Sequence, residues 1–434
     1  METILSLARK VADEAEVFRA TSWETPVAFE ANRLKMLETK ESTTVSLRII
    51  KDGRIGFATS SRVDEPQALV DMAVETAEFG AAARFELPGK TTYPIVAAYD
   101  PDVESVPVED MVALAESLIG AVRRHTPELV CEAGATKSVS TVSILNSKGG
   151  EMSYRSGSFV VGMEAMLIRD TDMLFVGDFE ASCRPLRDVK PLADSVIEQL
   201  ELAKRTATVS TGELPVLLTP KGVRNALFAP LAAAFNGKFI VEGASPLKGK
   251  QGQQLFDPRL SLWDDATLDY RPTSRPCDDE GVPSQKTPLI DKGVVGHFLY
   301  DLQTAARAGA TSTASAHRGR RSMPAPSVTA LVFDEGDTSF KDMVSDLKEG
   351  LVVEALIGAG QGNILGGDFS GNVLLGYRVE NGEITGRVKD TMISGNIYDV
   401  LKGLVAVGDE ARWVGGAVKA PALHLGRLSV AAKG

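Results

Sequence analysis

Thr44-Val45-Ser46-Leu47-Arg48-Ile49-Ile50-Lys51-Asp52-Gly53-Arg54-Ile55-Gly56-Phe57-Ala58-Thr59 sets two strand-like runs around an Asp-Gly pair. Alternation with a period of two marks a half-buried strand. Asp-Gly between two such runs signals a hairpin, because a type I′ turn needs positive φ at both central positions. The stretch therefore reads as strand, tight turn, strand. The same signal returns at Glu380-Asn381-Gly382, between Val373–Val379 and Glu383–Val388. From about 129 to 183 the pattern is a meander, with turns near Asn146-Ser147-Lys148-Gly149-Gly150 and Arg169-Asp170-Thr171-Asp172.

Helical spacing punctuates these strands. It predicts helices over 64–79, 108–125 and 188–205, and over 221–235 with an interruption at Pro230. In the second of these, Val112, Leu114, Ala115, Leu118, Ile119 and Val122 form one apolar stripe. Met1 to Ala20 also reads as an amphipathic helix, with Ile4, Leu7, Ala8, Val11 and Ala15 at helical intervals. Pro215–Leu218 is a short buried strand candidate. Regular β-α alternation is missing, so the fold class is α+β. Its expected parts are an N-terminal domain of helices and antiparallel hairpins over 1–208 and a mostly β domain over 209–434. The polar stretch Thr206–Glu213 marks the boundary.

The bulk numbers agree with a two-domain globular protein. The chain has 434 residues, 44% hydrophobic and 24% charged. Its 47 Lys+Arg against 58 Asp+Glu give a net charge of −11. Such a chain repels phosphate backbones, which argues against nucleic acid as a partner. His317-Arg318-Gly319-Arg320-Arg321, the one basic cluster, reads first as a solvated loop and second as an anion or partner contact. Cys131, Cys183 and Cys277 are odd in number and far apart, which suits a reducing compartment. Met1–Ala20 lacks an apolar signal region, and no run of 18 apolar residues occurs, so the expectation is a cytoplasmic protein with no membrane segment.

A search for chemistry finds no complete constellation. His125, His297, His317 and His424 are the only histidines, and no two lie at the spacing of a metal-binding helix pair. Gly367-Asp368-Phe369-Ser370-Gly371 has the wrong spacing for a nucleophile elbow, leaving Ser370 a turn serine. Gly358-Ala359-Gly360-Gln361-Gly362-Asn363 has Asn363 where a dinucleotide loop needs its third glycine. Thr311-Ser312-Thr313-Ala314-Ser315 lacks a partnered base for a metal-free hydrolase. Asp264-Asp265 and Asp278-Asp279-Glu280 read as solvated or turn-capping acids. The glycine-rich run 358–371 reads first as tight loop geometry. Its second reading is a place where backbone approaches an extended peptide, chiefly at Gln361, Asn363, Gly366, Gly367 and Asp368.

Taken in order, several blocks resemble the TldD/PmbA family, and within it the PmbA (TldE) branch. They are Asn236-Gly237-Lys238, Ser245-Pro246-Leu247-Lys248-Gly249-Lys250-Gln251-Gly252, Phe256-Asp257-Pro258 and Trp263-Asp264-Asp265. Gly350-Leu351-Val352-Val353, Gly367-Asp368-Phe369-Ser370, Val379-Glu380-Asn381-Gly382-Glu383-Ile384 and Ile393-Ser394-Gly395-Asn396 continue the series. In the TldD branch the corresponding helix carries H-E-x-x-x-H, and a later cysteine completes a zinc site. Here the ligand positions fall on Ala229 and Ala234 and the glutamate position on Pro230. No His or Glu occurs from Lys221 to Val241, and no Cys follows Cys277. The resemblance thus implies a chain with no catalytic or metal-binding residue of its own. The zinc would sit in a TldD-type partner within a heterodimeric metalloprotease that cleaves unfolded or modified peptides. The alternative is a homodimeric peptide- or ligand-binding protein that acts alone. An older label of the family, modulator of DNA gyrase, finds no support in the acidic charge.

Overall fold

The computed structural model describes residues 1–62, 64–319 and 321–433. A seven-stranded antiparallel sheet occupies the first half. Its order is Arg54–Ser60, Lys40–Lys51, Glu14–Glu30, Val130–Asn146, Glu151–Arg169, Asp172–Ser182, with Arg33–Leu37 paired to Glu14–Glu30. The opening hairpin forms as its residues dictate: Asp52 and Gly53 take φ of 50° and 72°, and Lys51 pairs with Arg54. Helices Val108–His125 and Lys190–Leu202 pack on this sheet. Met111, Ala115, Leu118 and Val122 meet Phe159, Val161 and Val196 in one core.

The expected helix over Met1–Ala20 is overturned after two turns. Glu2–Ala8 is helical, but Glu14–Glu30 is a 17-residue strand. Ile4, Leu5 and Ala8 supply the buried face of the short helix. From Val17 onward the chain instead finds two partners, Val17↔Leu47 on one side and Val17↔Leu145 on the other. Two ladders of hydrogen bonds with a buried face override a weak local periodicity.

The second half forms a twelve-stranded mixed sheet. The strand Val418–Ala432 lies inside it, pairing with Gly212–Leu218, Thr391–Asn396 and Ala406–Val414 antiparallel and with Leu331–Phe333 parallel. Glu349–Ile357 pairs parallel to Gly212–Leu218 and antiparallel to Asp368–Glu380. Asn381 and Gly382, with φ of 52° and 81°, close the hairpin from Asp368–Glu380 to Glu383–Val388. Within the polar stretch 206–213, Thr206–Ala207 already pairs parallel to Arg387–Val388. The architecture is α+β, with a strand-rich C-terminal region. One core joins the two sheets, because Leu217, Val352, Leu375 and Tyr377 share an apolar cluster with Phe159 and Val196. Among the described residues, no helix is long and apolar enough to cross a membrane.

Candidate functional site

The helix Pro220–Ala234 carries the positions singled out above. Thr219 caps it by accepting from Gly222 N, and Pro220 stands in the first turn, where its missing N–H costs nothing. Val223, Ala226, Leu227, Pro230, Leu231 and Ala234 are buried at helical intervals and seal the helix against the second sheet. Pro230 lies in the helix interior, so the Ala226 carbonyl has no backbone N–H four residues on. Ala234 is 1% exposed, and its carbonyl accepts from Ser245 Oγ at 2.6 Å. Ala229 is half-buried.

These residues do not fit a zinc ion. Methyl groups and a pyrrolidine ring offer no donor atom, and a structural or catalytic zinc needs nitrogen, thiolate or carboxylate. Burial pushes the Cys131 and Cys183 thiols up to about 11, and it pushes Cys277 up as well. None is therefore poised as the thiolate that binds metal. Among the described residues, no group of three or more His, Cys, Asp or Glu stands where it can hold a metal ion.

The glycine-rich run packs over the same helix: a Cβ built on Gly360 would lie 3.9 Å from Ala229 Cβ. Helix and loop thus meet, although 131 positions separate these two residues in sequence. The five candidate contact residues differ among themselves. Gln361 is exposed, and its side chain makes no hydrogen bond among the described residues. Asn363 caps a turn of 3-10 helix, Ile364–Gly366, by accepting from Gly366 N at 3.1 Å. Asn396 Nδ2 donates to Gly366 O at 2.9 Å and to Asp368 Oδ1 at 2.7 Å. Gly367 is buried at φ 89°, a left-handed conformation that glycine adopts freely. On one side, the backbone from Asp368 to Asn372 is taken by the strand Thr391–Asn396.

Phe228, the residue before Ala229, lines a cavity of about 540 Å³ between the first sheet and the loops of the second half. Ser22, Thr44, Ser140 and Ser156 give its sheet side a hydroxyl lining. Next to them a buried charge network ties Glu16 and Arg48 of the same sheet to loops of the second half. Glu16 accepts from Arg48 at 3.1 Å and from Arg318, and Arg48 also donates to Glu280. The Arg318 backbone donates to Asp279 Oδ2 at 2.6 Å, while Arg275 sits 3.3 Å from Asp279. Asp278 accepts from the backbones of Glu280, Val282 and Ala316, and Glu280 from Leu302 N at 2.7 Å. Burial raises the Asp278 and Glu280 carboxyls and lifts Asp264 to about 7. Thr273 Oγ1, Ser274 Oγ, Arg275 Nε and Arg318 Nη1 are buried without a hydrogen-bond partner among the described residues, and all four residues line the cavity.

This network corrects two expectations. Arg318 is 7% exposed, so the solvated-loop reading of the basic cluster fails there, and Arg320 lies outside the described residues. The acids at 264–265 and 278–280 are all buried rather than solvated, and several serve as turn acceptors. Both groups were visible in the sequence. The pairing of Glu16 with Arg318, 302 positions apart, had no local signal.

A family model described as the PmbA/TldA metallopeptidase C-terminal domain matches residues 211–432, and one for domain 1 matches 15–77. An uncharacterized protein of Methanocaldococcus jannaschii is 28% identical over 415 residues, covering 94% of this chain and 95% of its own. A metalloprotease PmbA homolog of Haemophilus influenzae is 26% identical, with 94% and 90% covered. Among solved structures, TldE from Thermococcus kodakarensis superposes with a TM-score of 0.89 at 23% identity, covering 99% of each chain. A proposed modulator of a DNA gyrase from Thermotoga maritima gives 0.90 at 24%, also over 99% of each. At these identities the structural likeness concerns the fold.

Proposed function

The chain belongs to the PmbA/TldD metallopeptidase family, and from that premise we propose that it is the non-catalytic subunit of a TldD/TldE-type zinc metalloprotease. The observation that carries this reading is the helix Pro220–Ala234, whose Ala229, Pro230 and Ala234 supply neither a zinc ligand nor a general base. Zinc and the activated water belong to a TldD-type partner chain. This chain contributes scaffold and part of a substrate enclosure. Unpaired donors and acceptors around the hydroxyl-lined cavity suit peptide amides without selecting side chains. In the glycine-rich run, Gln361 and the exposed backbone around it are the remaining peptide contacts. Three free, buried cysteines fit the cytoplasm, and the net charge of −11 fits a peptide rather than a nucleic-acid substrate.

The test is biochemical. Purified alone, the chain binds no stoichiometric zinc by elemental analysis and cleaves no unfolded peptide. Combined with a TldD-type chain from the same host, it forms a one-to-one complex that does cleave. Stoichiometric zinc together with cleavage by the isolated chain would overturn the proposal. A complex-free homodimer in the host would favour the stand-alone binding protein.

A further inference from the structure

A second cavity of about 540 Å³ opens at the other end of the Pro220–Ala234 helix, where the two halves of the chain meet. Its walls come from the strand Asp172–Ser182 and the helix Lys190–Leu202 on one side. Strands Glu349–Ile357, Asp368–Glu380 and Ala406–Val414 form the other. Five carboxylates line it, Asp178, Glu198, Glu354, Asp409 and Glu410, against the two cations Lys221 and Arg412, a formal charge of −3.

The cations are already engaged. Lys221 Nζ lies 3.2 Å from Asp178 and 3.2 Å from Glu354, and it donates to Gly177 O at 2.9 Å. Lys221 thus sits between two carboxylates and a carbonyl, its charge already offset. Arg412 lies 3.6 Å from Asp178. Glu198, Asp409 and Glu410 form no ion pair among the described residues and face the cavity unneutralised.

A second observation points to a ligand. Tyr377 is 2% exposed, lines the cavity, and its hydroxyl has no hydrogen-bond partner among the described residues. Burial, with Glu354 and Glu198 nearby, pushes its proton loss upward. It therefore stays a neutral phenol, able to donate and to accept. Phe340 and Trp413 add aromatic surface, with Leu202 and Ile384 apolar beside them. The Trp413 ring already holds a cation, Arg271, whose Cζ stands 4.6 Å from the ring centroid.

We propose that this cavity is a binding site for a small organic ammonium ion with an apolar or aromatic body. The charge is held by Glu198 with Asp409 and Glu410, and a polar group of the ligand meets the Tyr377 hydroxyl. An anion would face a formal charge of −3. A purely apolar molecule would leave Tyr377 unsatisfied. The site shares no residue with the surroundings of Ala229, so it does not depend on the subunit reading.

Titration calorimetry on the purified chain tests it with three probes of one shape: phenethylamine, phenethyl alcohol and phenylacetate. Phenethylamine binds at one per chain, the alcohol binds roughly tenfold more weakly or worse, and phenylacetate does not bind. Glu198→Gln and Tyr377→Phe each weaken the amine about tenfold while melting close to the parent. Should either variant fail to fold, Glu410→Gln, at an exposed position, repeats the measurement. Absence of amine binding in the parent, equal binding of phenylacetate, or unchanged affinity in the folded variants would overturn the assignment.

Discussion

Replacing Arg318 with methionine should destabilise the chain more than any surface substitution. The Arg318 side chain is 2% exposed, and its partner Glu16 is fully buried. Arg48 is the other cation in reach of Glu16, at 3.1 Å, but it is shared with the buried Glu280. Without Arg318, two buried carboxylates depend on one guanidinium. Breaking a buried pair by removing one partner costs about 3–5 kcal/mol. An unfolding entropy of about 2.1 cal/mol/K per residue gives about 0.9 kcal/mol/K for a chain of this size melting as one unit. The loss should then lower the melting temperature by about 3–6 °C in differential scanning calorimetry. Adding Glu16→Gln should restore most of it, because the Arg48–Glu280 pair then stands alone. A shift under about 1 °C for Arg318→Met, or a double variant less stable than the single one, would show that Glu16 does not depend on Arg318.

Four further outcomes rest on the geometry. Asp264 has its carboxyl raised from 3.8 to about 7 by burial. The unfolded chain therefore gives up this proton first, and the group's contribution to stability is lost as pH rises from about 4 to about 7. Asp264→Asn keeps both backbone bonds to Oδ1, from Thr329 and Ala330 at 2.8 Å each, and should flatten that slope in denaturant titrations; an unchanged slope rejects the cause. Gly367→Val should unfold the loop or the chain, since φ is 89° and a Cβ would meet the Tyr398 ring at 2.5 Å. Gly360→Val, with 3.9 Å to Ala229, should fold normally yet slow peptide cleavage by the reconstituted pair, and undiminished cleavage moves the contact elsewhere. The three buried cysteines should resist a thiol reagent in the native chain and react in denaturant; fast labelling of native protein contradicts their burial.

What the sequence disclosed depends on how local each instruction is. Asp52-Gly53 and Asn381-Gly382 specify their hairpins through two residues each, and Val108–His125 announces itself by one stripe and forms as read. Glu14–Glu30 was hidden because its strand character lies in partners at Lys40–Lys51 and Val130–Asn146, not in its own alternation. Ala229, Pro230 and Ala234 were legible as identities, since alanine and proline side chains lack donors whatever surrounds them. The loop beside Ala229 was legible only as a glycine-rich composition; that Gly367 is buried and Asp368 tied to Asn396 required the tertiary contacts. Arg318 and the acids at 278–280 were misread for a related reason. Charge in sequence suggests water, and only the fold reveals Arg318 buried against Glu16 and Glu280 against Arg48, while Asp278 and Asp279 are held by groups of their own half.

The place of Val418–Ala432 inside the second sheet carries a consequence for synthesis. The first sheet draws on residues 14–182 alone and can assemble while the rest of the chain is still being made. The second sheet waits. Gly212–Leu218, Leu331–Phe333 and Thr391–Asn396 each keep one edge open, and Ala406–Val414 has no partner in the sheet among the described residues, until the strand ending at Ala432 leaves the ribosome. For that interval, open strand edges coexist with a finished first sheet, a state prone to mispairing. Slowing translation before residue 418 should lengthen the exposure, whereas removing 418–432 should make it permanent.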